Sequence, residues 1–211
     1  MLPSILAKQL QKGIGDYIET TFPMTNEPFK GSVEKMLANK GSVYHEPYVA
    51  VRLPFRVAEE MPTCFEAIHP AYLPYVHQQK AFERLTGDDG RSTLVATGTG
   101  SGKTECFLYP ILEYCYRHRG ERGIKALIIY PMNALATDQA KRIAELIYGS
   151  DELRGNVTVG MYVGGQEHTP ARTMSEHGVI TDHETMLNNA PDILMTNYKM
   201  LDYLLVRPKD A

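Results

Sequence analysis

The sequence predicts an α/β fold built around a parallel sheet. Three observations carry that expectation. From Tyr75 onward, apolar runs of strand length alternate with helix-length periodic segments. A glycine-rich loop of small residues joins one of those strands to the next helix. Finally, 43% hydrophobic residues against 22% charged ones suffice for a sizeable core. The 211 residues suit one ordinary domain, or one domain with a substantial extension.

The stretch up to Pro74 is irregular, with prolines at positions 3, 23, 28, 47, 54, 62, 70 and 74 separating short segments. Ile5, Leu6, Leu10, Ile14, Tyr17 and Ile18 keep helical spacing and predict an amphipathic helix over residues 3–21. Gly13 and Gly15 oppose it, each by about 1 kcal/mol relative to alanine. A second helix is expected after Ser32, an acceptable N-cap, ending near Gly41. Residues 48–53 read as a strand stopped by Pro54. We expect residues 1–72 to form a mostly helical N-terminal extension and residues 73–211 the α/β domain.

The second region begins with a helix over 75–86, closed by the turn signal Gly87-Asp88-Asp89-Gly90. A strand at Thr93–Ala96, the glycine loop and a helix from Lys103 to His118 follow, with Pro110 expected to kink or shorten that helix. Next come a strand at Ala126–Tyr130, a helix from Asn133 to Tyr148 and a strand at Val157–Val163. A polar loop of more than twenty residues, read as a disordered insertion, leads to a strand at Ile193–Met195 and a helix at Tyr198–Val206.

Composition excludes several classes. No apolar run reaches the ~18 residues of a membrane-spanning helix. The N-terminus lacks a basic region followed by a long apolar one, so neither secretion nor a membrane partner is expected. Cys64, Cys106 and Cys115 make no CxxC pair and no even framework, which points to a reducing cytoplasm. The net charge of −3 does not announce a nucleic acid, though it leaves room for a local basic groove.

The most informative segment is the run from Thr93 to Thr104, in which strand, loop and helix succeed one another. Bare glycines allow backbone N–H groups to turn inward onto phosphate oxygens, and a helix N-terminus adds partial positive charge there. Thr97, Gly98, Thr99, Gly100, Ser101 and Gly102 would form the cradle. Lys103 would bridge the β- and γ-phosphates of ATP, and the Thr104 hydroxyl would ligate Mg²⁺. A flexible glycine turn is the bland alternative, disfavoured by the strand before it and the Gly-Lys-Thr at its end. The spacing of Gly98, Gly100 and Gly102 does not fit a dinucleotide fingerprint.

The strict phosphate-loop pattern has glycine where Thr97 stands. With that departure, Thr97–Thr104 resembles motif I of superfamily 2 DEAD/DEAH-box-like helicases. Tyr75-Val76-His77-Gln78 resembles their adenine-reading glutamine motif, which implies that Gln78 contacts adenine; alone, it would be a polar helix face. Ile128–Gln139 resembles motif Ia, implying nucleic-acid contacts at Pro131 and Asn133, although Asn133-Ala134 replaces the usual Arg-Glu. Gly164-Gly165 is similar to motif Ib, where bare backbone approaches a sugar-phosphate chain, and reads equally well as a turn. Asp192–Tyr198 resembles the next helicase block, in which Thr196 and Asn197 meet the bound strand; Asn197 can also cap a helix.

The resemblance covers roughly Leu73 to Pro208 and implies the first RecA-like phosphate-loop NTPase domain of a helicase. Its partner would be single-stranded or duplex nucleic acid, with DNA favoured over RNA. The segment Gly15–Pro23 and the Thr196-Asn197-Tyr198 variant look more like large bacterial helicases of the repair and anti-phage defence type. Motif II, an apolar strand ending in Asp-Glu, has no counterpart among Glu59-Glu60, Asp88-Asp89, Asp151-Glu152 or Asp182-His183-Glu184. The chain therefore reads as the front part of a motor, whether truncated frame, fragment or split subunit, that lacks motif II and a second RecA-like domain. Alone it would bind nucleotide with little turnover. A phosphate-loop kinase for a small molecule and a non-catalytic nucleotide-binding module are the rivals. His168, His177 and His183 read as solvated loop residues, and Cys106 and Cys115 as packed thiols. Tyr75, Tyr130 and Tyr198 read as packing residues by default.

Overall fold

A computed structural model of the chain describes residues 3–39, 41, 53–87, 90–164 and 170–206. It comprises two compact units, Met1–Pro54 and Phe55–Ala211. In the first, α1 (Pro3–Thr21) is followed by a short 3-10 turn (Glu27–Phe29) and α2 (Ser32–Ala38). The helical spacing of α1 is real, yet Ile5, Leu6, Leu10, Ile14 and Tyr17 are all exposed, and no described residue of this unit is buried. The Gly15 backbone comes close to Leu37 of α2. The expected cap is displaced by one position: Gly31, at φ +76°, is the N-cap, and Ser32 is the first helical residue. The Ser32 hydroxyl donates backward to Phe29 O at 2.5 Å. The helix stops at Ala38, short of Gly41. Residues 48–52 of the expected strand lie outside the described residues.

The second unit contains α3 (Val76–Thr86), α4 (Lys103–Arg117), β1 (Ala126–Tyr130), α5 (Asn133–Tyr148), β2 (Val159–Tyr162), α6 (His183–Asn188), β3 (Ile193–Asn197) and α7 (Tyr198–Val206). Its three strands form a parallel sheet in the order β1-β3-β2. Met195 sits at the centre of the sheet, level with Ile128 and Met161. Leu108 and Leu112 of α4 and Ala136, Ala140, Ile143 and Ile147 of α5 join the same core and are almost completely excluded from solvent. Apolar residues three and four apart thus turn one stripe of each helix onto the sheet. Among the described residues, no helix is long and apolar enough to cross a membrane.

Residues 93–96 do not form the expected strand. They carry no ladder pairing, and Leu94 is 92% exposed. A β conformation needs a neighbour for its N–H and C=O groups, and no described strand runs beside this segment. Pro110 does not end its helix; α4 continues through it to Arg117. The strand expected at 157–163 is shorter, spanning Val159–Tyr162, and the last strand is longer, reaching Asn197.

The polar loop is ordered over residues 170–191. Ile180 runs parallel to β2, accepting from Met161 N at 2.8 Å and donating to Val159 O at 3.0 Å. Tyr148 Oη donates to Met174 O, and Met186 of α6 packs with Ile180 and Leu194. Gly160 permits this approach, because a Cβ there would meet Met186 Sδ at 2.6 Å and Pro191 Cγ at 2.8 Å. The loop histidines are correspondingly engaged: His183 stacks on Tyr162 and His177 pairs with Glu145, while His168 lies outside the described residues.

At the entrance to the strands, Lys125 Nζ donates to Asp192 Oδ1 at 2.5 Å, with both side chains largely buried. The second Asp192 oxygen accepts from Thr158 N and Thr158 Oγ1, each at 2.7 Å. This network ties the starts of β1 and β3 to the residue preceding β2. Burial also raises the Cys106 thiol above its ordinary range. It pushes Cys115 up to about 12, with nearby Asp192 acting in the same direction.

Candidate functional site

Residues 97–102 form the loop that opens α4. Gly100 and Gly102 adopt left-handed backbone conformations, φ +75° and +69°. These left-handed turns lead the chain into the first turn of α4, whose leading N–H groups have no intrahelical acceptor. Lys103 Nζ reaches back across the loop, donating to Thr97 O at 3.1 Å and Gly98 O at 2.8 Å. An ammonium held by neutral carbonyls at the start of a helix is an arrangement that can receive an anion. Thr97 contributes a side-chain brace that glycine could not: its Oγ1 shares a 2.6 Å hydrogen bond with Ser101 Oγ, and Ser101 is fully buried. Thr104 occupies the second position of α4, with its hydroxyl available as one ligand type suited to Mg²⁺.

The first turns of α3 hold the far side of the loop. His77 Nε2 donates to Ser101 O at 2.8 Å, which fixes the proton on that nitrogen. Gln78 Nε2 donates to Gly102 O at 3.0 Å, and its Oε1 accepts from Tyr75 N at 2.8 Å. A side-chain amide has two N–H groups and two lone pairs, and these two bonds use one of each. Gly102 is required here on two grounds, since a Cβ would lie 2.3 Å from Gln78 Nε2 in addition to the positive φ. Tyr75 stacks on His77, and Phe55 packs its ring against both.

A second group of sequence-expected residues converges at the C-terminal rim of the sheet. Asn133, the first residue of α5, donates from Nδ2 to Gly164 O at 2.9 Å. Its Oδ1 accepts from Asn197 Nδ2 at 2.6 Å. Asn197 Oδ1 in turn accepts from Met200 N at 2.8 Å, so it caps α7 as its alternative reading anticipated. Pro131 immediately follows β1 on this rim. Thr196 behaves differently: it is fully buried, and its hydroxyl donates to Tyr162 O at 2.7 Å, so the side chain holds β2 to β3 rather than facing outward. Gly165 lies outside the described residues. Tyr198 is exposed, whereas burial raises the pKa of Tyr130 and leaves its hydroxyl without a hydrogen-bond partner.

Two groups near the loop escape sequence reading. Glu113, buried on α4, accepts from Glu66 N at 2.9 Å and Ala67 N at 3.0 Å and pairs with Arg117. It fastens the segment leading to Gln78 onto the loop's own helix. Glu105 pairs with Arg142 of α5. No local spacing signals contacts between residues 37 or more positions apart.

A family model described as DEAD/DEAH box helicase matches residues 75–210. The Druantia protein DruE of Escherichia coli (strain UMEA 4076-1) is 26% identical, over 95% of this chain and 17% of that protein. The uncharacterised ATP-dependent helicase YprA of Bacillus subtilis is 30% identical, over 55% of this chain and 15% of its own length. Among solved structures, Mycobacterium smegmatis helicase Lhr bound to ssDNA and AMP-PNP is 29% identical. That match has a TM-score of 0.44 and covers 63% of this chain and 16% of Lhr. The chain thus spans about one sixth of the length of each of these relatives.

Proposed function

Because the chain belongs to the DEAD/DEAH box helicase family, we propose that it is the ATP-binding N-terminal part of an ATP-dependent nucleic-acid helicase. The observation that carries this reading is the posture of Lys103, folded onto Thr97 O and Gly98 O within a loop turned by two left-handed glycines at the start of α4. Phosphate oxygens entering there would replace two neutral acceptors with charged ones, and charge-assisted bonds are the stronger. In this reading Thr97 to Gly102 cradle the phosphates, Lys103 grips their outer end and Gln78 selects adenine. The Thr104 hydroxyl would hold Mg²⁺, which when bound would supply charge neutralisation.

The rim formed by Pro131, Asn133, Gly164 and Asn197 is assigned to the sugar-phosphate chain, with Thr196 supporting it from beneath; Gly165 is assigned with them on the motif resemblance alone. Backbone and amide groups of this kind fix register without reading sequence, which suits a motor that steps along any strand. We assign residues 1–72 to an extension and 73–211 to the first RecA-like domain. A second such domain of the longer protein would supply closure and translocation. The three cysteines are free, as suits a reducing cytoplasm. Family membership sets aside the small-molecule kinase.

The test is a titration of the chain with single-stranded DNA and RNA, with and without Mg-ATP. The helicase reading expects nucleotide to change strand affinity and expects Asn133→Ala with Asn197→Ala to weaken it. Nucleotide binding with no strand affinity under any condition would instead favour a non-catalytic nucleotide-binding module.

A further inference from the structure

The ion pair of Glu105 and Arg142 stands outside the roles just assigned. Glu105 is the third residue of α4, directly after Lys103 and Thr104. One carboxylate oxygen, Oε1, accepts from Arg142 Nη2 on α5, while Oε2 is buried without a hydrogen-bond partner. A Cβ on Gly102 would stand 3.0 Å from that Oε2, so the carboxylate lies against the last residue of the loop. Glu105 is the more enclosed partner, with 16% side-chain exposure against 43% for Arg142.

A carboxylate in the first turn of a helix is favoured by the helix dipole. A nucleotide polyphosphate is drawn to the same turn for the same reason. Two anions at one helix terminus repel each other, and they do so more strongly where protein rather than water fills the space between them. The Arg142 guanidinium offsets that repulsion from the neighbouring helix. It also holds Oε1 in place, so the carboxylate cannot swing freely toward the loop.

We infer that Arg142 is a positioning residue for nucleotide binding, which acts through Glu105 by cancelling its charge beside the phosphate loop. The inference rests on the phosphate-loop reading. It requires no contact between Arg142 and the nucleotide. Glu105 without Arg142 becomes an uncompensated anion beside the phosphate loop, whereas the absence of both leaves the loop close to its present electrostatic balance.

The experiment titrates the full chain with Mg-ADP and with a non-hydrolysable Mg-ATP analogue, using Arg142→Ala, Glu105→Gln, the double variant and Lys103→Ala. Arg142→Ala should bind roughly tenfold more weakly at low salt, and the loss should shrink as salt rises. The loss should be larger for the triphosphate, which carries more charge. Glu105→Gln should bind at least as tightly as the parent, and the double variant should recover to within about threefold of it. Arg142→Lys, which keeps the charge, guards against a simple folding defect and should retain most of the affinity. A double variant as weak as Arg142→Ala would mean that Arg142 acts on the nucleotide directly, and the inference would fall. Parent-like binding by Arg142→Ala, with Lys103→Ala defective, would also overturn it while leaving the phosphate-loop reading intact. A parent chain that binds neither nucleotide would remove both.

Discussion

Substituting alanine for Gly102 places one methyl group at the tightest point of the loop. The backbone there has φ +69°, a conformation that costs an L-residue roughly 1–2 kcal/mol. The new Cβ would also lie 2.3 Å from Gln78 Nε2, so the amide must move. Moving it endangers two hydrogen bonds, to Gly102 O and from Tyr75 N, each with a net contribution of roughly 0.5–1.5 kcal/mol. The total loss should therefore be about 2–5 kcal/mol. Gly100 provides the control, having φ +75° but nothing within 4 Å of its would-be Cβ. Gly100→Ala should show the strain alone, about 1–2 kcal/mol. Urea and thermal unfolding would measure both, and the extra loss in Gly102→Ala should lower Tm by a further ~2–12 °C. In a Gln78→Ala background the two glycine penalties should draw together, leaving only the residual contact of the Gly102 position with Glu105 Oε2. Equal penalties in the parent background would refute the claim that Gln78 and the loop are packed against each other.

Gln78→Ala should bring ATP and GTP affinities together, because guanine presents an acceptor where adenine presents its amine; competition binding reads this, and a parent indifferent to the base would contradict the assignment. Asp192→Ala should destabilise the fold by about 3–5 kcal/mol in urea, because it leaves Lys125 buried without its carboxylate partner and frees Thr158; a loss below ~1 kcal/mol would contradict this. In the native protein at pH 8, a thiol reagent should modify Cys64 quickly and Cys106 and Cys115 slowly, since burial raises both pKa values and keeps those thiols protonated. Three equally fast thiols without denaturant would contradict the described burial.

Apart from α6, which falls in the segment expected to be a disordered loop, the helices and strands after residue 75 are legible in the sequence because each combines a clear period with a clear stop. Asn133–Tyr148 is the plainest case, its apolar residues recurring at three and four with Pro131 before and Gly149 after. Strand identity at 93–96 is a different matter. Local composition favours β, but pairing is a property of neighbours, and no described strand supplies one. The ordered loop was equally hidden, because Met174, Ile180 and Met186 are dispersed among polar residues and find their partners only through Tyr148 and β2. Within the site, the glycine loop and Gln78 are legible as contiguous motifs. The bond from His77 to Ser101 O spans 24 positions, and the Glu105–Arg142 pair spans 37, so neither leaves a local trace.

The proposed function places Lys103 where nucleotide phosphates bind. Calorimetric titration of the chain with Mg-ATP, against Lys103→Ala of matched thermal stability, tests it directly. Losing a charge-assisted contact at a partly enclosed site should cost on the order of 2–4 kcal/mol, a weakening of roughly 30-fold or more. Parent and variant binding Mg-ATP with the same affinity would show that Lys103 does not hold the phosphates.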